Sequence, residues 1–105
     1  MTLQSQSQKY EDIYLPLHGE HQGRNAAIAL SAAEAFVGIT LPDDVVRGGL
    51  ENVSIVGRFE VLSSNPLLVI DGAHNPPGAE AAAQTLKRSF PVDGKLVLII
   101  GMTEE

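Results

Sequence analysis

The segment that runs from residue 67 to residue 90 most restricts how this chain of 105 residues can fold. An apolar run, LLVI, is followed at once by DGAHNPPG and then by an alanine-rich stretch. An apolar run without polar alternation is typical of a strand that is covered on both faces. Pro76 or Pro77 suits the first turn of a helix, and Lys87 and Arg88 suit its negative end. The segment therefore predicts a buried strand, a turn and a helix.

The neighbouring segments extend this pattern in both directions. A second apolar run, LVLII at 96–100, follows the predicted helix and completes a β-α-β unit with two parallel strands and a right-handed crossover. Upstream, GRFEVL at 57–62 alternates polar and apolar residues, and SSNP supplies turn residues. We therefore expect an antiparallel hairpin before the β-α-β unit.

The first half of the chain predicts a strand and two helices. YEDIYLPL at 10–17 has the aromatic and aliphatic residues of a strand, and Pro16 moves that strand to an edge or an end. HGEHQGR at 18–24 predicts a loop, and residues 25–37 predict a helix whose many alanines imply close packing. Pro42 then suits the first position of a second helix. The change from helical to strand patterns near residues 52–57 marks the most plausible domain boundary.

Charge and composition exclude several classes of function. The net charge of −6 contains no basic cluster, which argues against binding to nucleic acid or to a membrane surface. The absence of cysteine excludes disulfides, thiolate metal sites and cysteine nucleophiles. LVLII is too short to span a bilayer, and no signal segment follows Met1. We therefore expect a cytoplasmic protein.

The turn at residues 71–75 carries the strongest candidates for chemistry. It lies beyond the carboxyl end of a predicted parallel strand, where open α/β sheets place ligands. A helix N-terminus attracts anions, so a phosphate can bind there while Asp71 accepts hydrogen bonds from a sugar hydroxyl. Alternatively, Asn75 caps the helix and Asp71 only favours the loop geometry. We expect Asn75 to be a cap, and we keep Asp71 and His74 as functional candidates.

A second polar cluster, HGEHQGRN at 18–25, opens the first predicted helix. His18 and His21 are three positions apart and do not match the H-E-x-x-H zinc pattern, so we expect no metal site. The P-loop pattern G-x-x-x-x-G-K-[ST] does not occur in the chain. By themselves, Asn25 in a first turn is more often a cap, and Arg58 is more often a solvated strand residue.

Taken in order, LPLHGEHQGRNAAIAL, GRFEVL and LLVIDGAHNPPGAEA resemble the ATP-dependent folylpolyglutamate synthase and dihydrofolate synthase family, a branch of the Mur ligase superfamily. Gln22 and Gly72 favour the folate branch over the cell-wall ligases. The resemblance implies an α/β fragment of a Mur-ligase-type enzyme. Residues 1–53 would be the C-terminal part of the central ATPase domain. Residues 54–105 would be the N-terminal part of the C-terminal, glutamate ligase domain, with a hairpin and a Rossmann-like β-α-β unit.

The resemblance also implies a reaction and a set of roles. ATP would phosphorylate a carboxylate of folate or dihydropteroate, and the amine of glutamate would attack the acyl phosphate. Asn25 would contact adenine, Arg58 would reach the phosphates across the domain interface, and Asp71 would hold the ribose. His74 would lie close to the phosphates or the incoming glutamate, so Arg58 and His74 are the catalytic candidates. Val56 stands where the family usually has proline, which affects the expected pose of Arg58.

Family members are about four times longer than this chain. The P-loop and the ligands of Mg²⁺ are therefore expected outside the sequence, and the chain alone is expected to be inactive. Two alternatives stay open: a Mur-type peptidoglycan ligase fragment, and a non-catalytic nucleotide-binding or interaction module. Loss of neighbouring strands would leave apolar edges, so we also expect the isolated chain to self-associate or to be partly disordered.

Overall fold

The computed structural model describes residues 1–103, which divide into two compact units, one ending at Val56 and the other beginning at Gly57. The division lies close to the predicted boundary between residues 53 and 54. Each unit contains one antiparallel pair of strands and at least one helix. The predicted α/β class is confirmed.

The first unit contains four elements: β1 (Leu3–Gln4), β2 (Lys9–Tyr10), α1 (Glu20–Val37) and α2 (Asp43–Glu51). The two short strands pair antiparallel, with Leu3 opposite Tyr10. Buried apolar side chains from both strands, the following loop and both helices form the core. They are Leu3, Tyr10, Ile13, Leu15, Ala26, Leu30 and Val46.

The strand predicted at residues 10–17 is wrong beyond Tyr10. Ile13 and Leu15 are buried while Tyr14 is exposed, so the alternation in the sequence does reflect burial. However, a strand also needs a neighbour along its length. Ile13 exchanges backbone hydrogen bonds only with Met1 among the contacts described, and residues 11–17 form no ladder.

Helix α1 begins at Glu20, earlier than the predicted start at residue 25, so the predicted loop at 18–24 is wrong for most of its length. The N-cap is Gly19, which has no side chain that could cap the helix. Glu20 lies in the first turn, where a negative charge is favourable. The helix buries Gln22, Ala26, Leu30 and Glu34, which lie one turn apart on one face.

The second unit contains β3 (Glu60–Ser64), β4 (Leu67–Ile70) and α3 (Pro76–Ser89). The predicted hairpin is confirmed, with its turn at Asn65 and Pro66. The register shifts between Val61 and Ser63, which is the geometry of a β-bulge. The predicted helix is also confirmed at α3.

The second strand of the predicted β-α-β unit is wrong in the described structure. Residues 96–100 form no strand, and their side chains are 60–91% exposed. Both sheets within residues 1–103 are antiparallel pairs, so no parallel pair occurs there. An apolar run becomes a strand only when a neighbour bonds to its backbone. Leu68 in β4 is likewise 52% exposed, although the apolar run predicted cover on both faces.

Within the described part of the chain, no helix combines the length and the apolar character needed to cross a membrane.

Candidate functional site

The hairpin brings two of the sequence motifs to one end of the second unit. Its register pairs Glu60 with Ile70, so Phe59 directly precedes β3 and Asp71 directly follows β4 at the same end of the hairpin. The N–H of Phe59 donates to Asp71 Oδ2 at 2.8 Å, and the N–H of Gly72 donates to the carbonyl of Gly57 at 2.7 Å. The G-R-x-E and D-G-A-H-N segments are therefore bonded directly to each other.

Asp71 uses both carboxylate oxygens to hold this arrangement. Oδ2 accepts from Phe59, and Oδ1 accepts from the N–H of Ala73 at 2.7 Å. The loop role predicted for Asp71 is therefore present. The side chain is nevertheless exposed, and a carboxylate offers about four acceptor positions, so further donors can bind.

His74 and Asn75 occupy the turn into α3. His74 Nδ1 lies 3.1 Å from the carbonyl of Gly72, which can only accept, so a hydrogen bond between them requires the tautomer with the proton on Nδ1. Nε2 is then the acceptor of the neutral ring or a donor of the charged ring. Asn75 Oδ1 accepts from the N–H of Gly78 at 2.9 Å, and the predicted cap is confirmed.

Arg58 lies in a loop, because β3 begins at Glu60 and not at residue 57 as predicted. Its two neighbours have left-handed backbone conformations, with φ of 71° at Gly57 and 43° at Phe59. Such angles are incompatible with a strand. Phe59 is buried, with its ring centroid 5.5 Å from that of Phe90, while the Arg58 side chain is exposed. The loop therefore has an exposed guanidinium at Arg58 and a buried ring at the next residue, Phe59.

The sequence analysis missed Glu60, the acid of the G-R-x-E motif. Its Oε2 accepts from the N–H of Gly57 at 2.8 Å, and its side chain is half-buried. Its presence in the same short motif as Arg58 was the signal that could have identified it.

Asn25, the remaining predicted site residue, lies on α1 in the first unit. Because α1 starts at Glu20, Asn25 is in the second turn, and the alternative that it caps the helix is wrong. Its Nδ2 donates to Oε1 of the buried Gln22 at 3.3 Å, and Asn25 itself is exposed. The structure therefore brings Arg58, Asp71 and His74 to one end of one unit, and Asn25 belongs to the other unit.

The first unit also contains a buried polar pair that the sequence analysis did not predict. Tyr10 donates to Glu34 Oε1 at 2.5 Å, and the N–H of Leu41 donates to the same oxygen at 3.3 Å. The bond from Tyr10 lowers the pKa of Glu34, while burial raises the pKa of Tyr10. This pair ties the strand region to α1 and to the loop before α2.

Comparisons with known proteins show which family the chain is similar to. Residues 57–105 match the family described as Mur ligase, glutamate ligase domain. The dihydrofolate synthase/folylpolyglutamate synthase of Mycobacterium tuberculosis is 50% identical over 94 residues, which cover 86% of this chain and 19% of that protein.

Solved structures agree with the sequence matches. The Mycobacterium tuberculosis folylpolyglutamate synthase complexed with ADP and AMPPCP has a TM-score of 0.81 at 52% identity, covering 84% of this chain and 20% of that one. A folylpolyglutamate synthase complex with AMPPCP and folate has a TM-score of 0.72 at 38% identity, covering 81% and 22%. The chain spans about a fifth of the length of these relatives.

Proposed function

The chain belongs to the folylpolyglutamate synthase and dihydrofolate synthase family of the Mur ligase superfamily, and we propose that it acts as part of an ATP-dependent folate–glutamate ligase. Its substrates would be folate or dihydropteroate, glutamate and ATP. The parent enzyme would serve folate metabolism in the cytoplasm. The chain alone would not complete the reaction.

The reaction has two steps. A carboxylate oxygen of the folate substrate attacks the γ-phosphorus of ATP and releases ADP, which forms an acyl phosphate. The amine of glutamate then attacks the acyl carbon, phosphate leaves with the former carboxylate oxygen, and an amide bond is formed. Both steps develop negative charge on phosphate oxygens, so positioned cations and donors accelerate them.

The observation that carries the proposal is the bonded pair of motif segments at the end of the hairpin. Arg58 and His74 are both exposed residues of these bonded segments, and His74 lies two positions before the start of α3. A guanidinium can bind phosphate oxygens with two parallel hydrogen bonds, which suits Arg58 as the phosphate contact. His74 Nε2 can donate to a phosphate or bind the incoming amine, depending on its charge.

Two further residues would hold the nucleotide. Asp71 has acceptor positions left after its two backbone bonds, and ribose hydroxyls are donors of the required kind. The exposed amide of Asn25 offers both a donor and an acceptor, as the edge of adenine requires.

ATP is the nucleotide that this proposal requires, and related structures contain ADP or AMPPCP. Within residues 1–103, no three His, Asp or Glu side chains form a potential metal site. The resemblance to the longer family members implies that the ligands of Mg²⁺ would lie outside this chain.

We also propose a domain assignment and a state of association. Residues 1–53 would complete the central ATPase domain, and residues 54–105 would begin the glutamate ligase domain. The family match to residues 57–105 and the division after Val56 support this assignment. The exposed apolar residues 96–100 would make the isolated chain self-associate.

Substitution of Arg58 in a complete ligase tests the proposal. The matching segment of the Mycobacterium tuberculosis enzyme would be replaced by this chain, and glutamate addition and ATP hydrolysis would be measured. The unmutated chimera is expected to be active, whereas Arg58→Ala is expected to lower kcat/KM by about 100-fold or more. Its thermal unfolding should be unchanged, because Arg58 is exposed.

Lys87→Ala is the matched control, since it removes an exposed cation from the last turn of α3 in the same unit. Its turnover should stay within about twofold of the unmutated chimera. An inactive unmutated chimera, or near-normal turnover of Arg58→Ala, would contradict the proposed function.

A further inference from the structure

We propose that Glu60 is a positioning residue, which holds the loop so that Arg58 can reach the phosphates. This inference rests on the proposed function, because it takes the phosphate contact of Arg58 as given. The Glu60 side chain accepts a hydrogen bond from the N–H of Gly57, and the proposed function assigns it no role in the reaction.

The loop around Arg58 needs external support. Gly57 and Phe59 have φ of 71° and 43°, a region that residues other than glycine rarely adopt. Conformations of this kind persist only where surrounding contacts impose them, and they are common at functional sites. The conformation matters for Arg58, because the backbone on both of its sides sets the direction of its side chain.

Three hydrogen bonds supply that support. The carbonyl of Gly57 accepts from Gly72, and the N–H of Phe59 donates to Asp71. The third bond joins the N–H of Gly57 to Glu60 Oε2 at 2.8 Å. Without the Glu60 side chain, Gly57 keeps only the hydrogen bond that its carbonyl accepts from Gly72, and it can rotate about its N–Cα bond.

Glu60 is well placed to be a rigid support. It is the first residue of β3 and pairs with Ile70 in the ladder, so its backbone is held by the hairpin. Its side chain is half-buried, and a carboxylate forms stronger hydrogen bonds to N–H groups than a neutral acceptor. The bulge at Leu62 contributes, because a regular ladder continued from the Ser64–Leu67 pair would have placed Glu60 opposite Asp71.

Charge argues that Glu60 acts through the loop and not on the nucleotide. A negative carboxylate next to a triphosphate would be repelled, so a direct contact would weaken ATP binding. Its effect on the reaction should therefore depend on Arg58. That dependence distinguishes a positioning residue from a general contributor to stability.

The test compares three variants in the active chimera. Glu60→Ala removes the acceptor, Glu60→Gln keeps an acceptor oxygen at the same reach, and Glu80→Ala removes an exposed acid from α3 as a control. We expect Glu60→Ala to lower kcat/KM for ATP by about tenfold or more, because small misplacements of a catalytic group are costly. Glu60→Gln should keep most of the kcat/KM of the unmutated chimera, and Glu80→Ala should change kcat/KM little.

The double variant Arg58→Ala/Glu60→Ala provides the decisive measurement. If Glu60 acts through Arg58, the double variant should have the same kcat/KM as Arg58→Ala alone. If Glu60→Ala lowers kcat/KM by the same factor in the Arg58→Ala chimera as in the unmutated chimera, the inference is overturned. Normal kinetics of Glu60→Ala, with a strongly impaired Arg58→Ala, would overturn it while leaving the proposed function intact.

Folding is monitored by thermal unfolding of each variant. If Glu60→Ala does not fold, Glu60→Asp takes its place, because Asp keeps the charge but has a shorter side chain. Glu60→Asp is then expected to show the same loss of kcat/KM, and wild-type kinetics for this variant would refute the role. Normal turnover of Arg58→Ala would instead refute the proposed function on which the inference rests.

Discussion

Carboxylate side chains hold backbone N–H groups in both units of this chain. Glu34 accepts from Leu41, Glu60 accepts from Gly57, and Asp71 accepts from Phe59 and Ala73. Bonds of this kind are stronger than those to neutral acceptors. Part of the net charge of −6 therefore serves local structure. Composition alone indicates only that the charge disfavours binding to nucleic acid or to a membrane surface.

The pair of Tyr10 and Glu34 predicts a pH dependence of stability. The pKa of Glu34 is lowered in the folded chain by the bond from Tyr10, so its contribution is present above the unfolded pKa and is lost as the pH falls through the folded pKa. The thermal midpoint should thus fall when the pH drops below about 4. Glu34→Gln should lower the midpoint at pH 7 and flatten this acid limb.

Differential scanning calorimetry from pH 7 to pH 3 would check this expectation. Glu80→Gln, a neutralised acid on the exposed face of α3, should keep the wild-type profile. Superimposable profiles of wild type and Glu34→Gln would contradict the role assigned to this carboxylate.

At the scale of elements, the starts of α1 and α3 show when local sequence is sufficient to predict where a helix begins. Asn75 and Pro76 are a cap and a first-turn proline, and the start of α3 follows from them. Helix α1 has Gly19 at its N-cap and no side-chain cap, so the sequence lacks a local signal for its start at Glu20. The missed turn carries Gln22, which is buried and bonded to Asn25.

The cap at Asn75 predicts a measurable contribution to stability. Asn75→Ala should lower the free energy of unfolding by about 1 kcal/mol, because the N–H of Gly78 loses its acceptor. Asn75→Ser should retain most of that energy, since serine is also a good cap. Urea unfolding of the isolated chain would measure both.

Gln84→Ala is the control for this experiment, because the hydrogen bond described for its side chain is an exposed one to Glu80. It should change the free energy of unfolding by less than about 0.5 kcal/mol. A loss for Asn75→Ala that is no larger than that of Gln84→Ala would argue against the cap.

At the scale of the molecule, much apolar surface is left without cover in the described residues. Phe36 on α1 is 93% exposed, Ile99 is 91% exposed, and Leu68 in β4 is 52% exposed. The chain spans about a fifth of the length of its relatives. Exposed patches of this kind mark surfaces that associate with other protein.

The isolated chain is accordingly expected to form dimers or larger species at roughly tens of micromolar, because exposed apolar surface drives association at such concentrations. Ile99→Lys should shift the distribution towards monomer, because a charge within an apolar run blocks edge pairing. Light scattering coupled to gel filtration would measure the mass. Ser89→Lys adds the same charge at an exposed polar position and should leave the distribution unchanged.

A stable monomer of the wild-type chain at these concentrations would contradict the prediction. So would an equal effect of Ile99→Lys and Ser89→Lys, because it would point to net charge and not to the apolar run.

The sequence by itself determined the elements whose signals are local: the hairpin around Asn65 and Pro66, the capped helix α3, and the motifs that identify the family. These depend on contacts between residues close in the chain. Only the tertiary structure decided the burial of Glu34, the bond from Phe59 to Asp71 that links the Arg58 loop to the turn before α3, and the absence of a strand at 96–100. The physical reason is that backbone groups and buried charges require partners, and local sequence does not reveal which partners lie within reach.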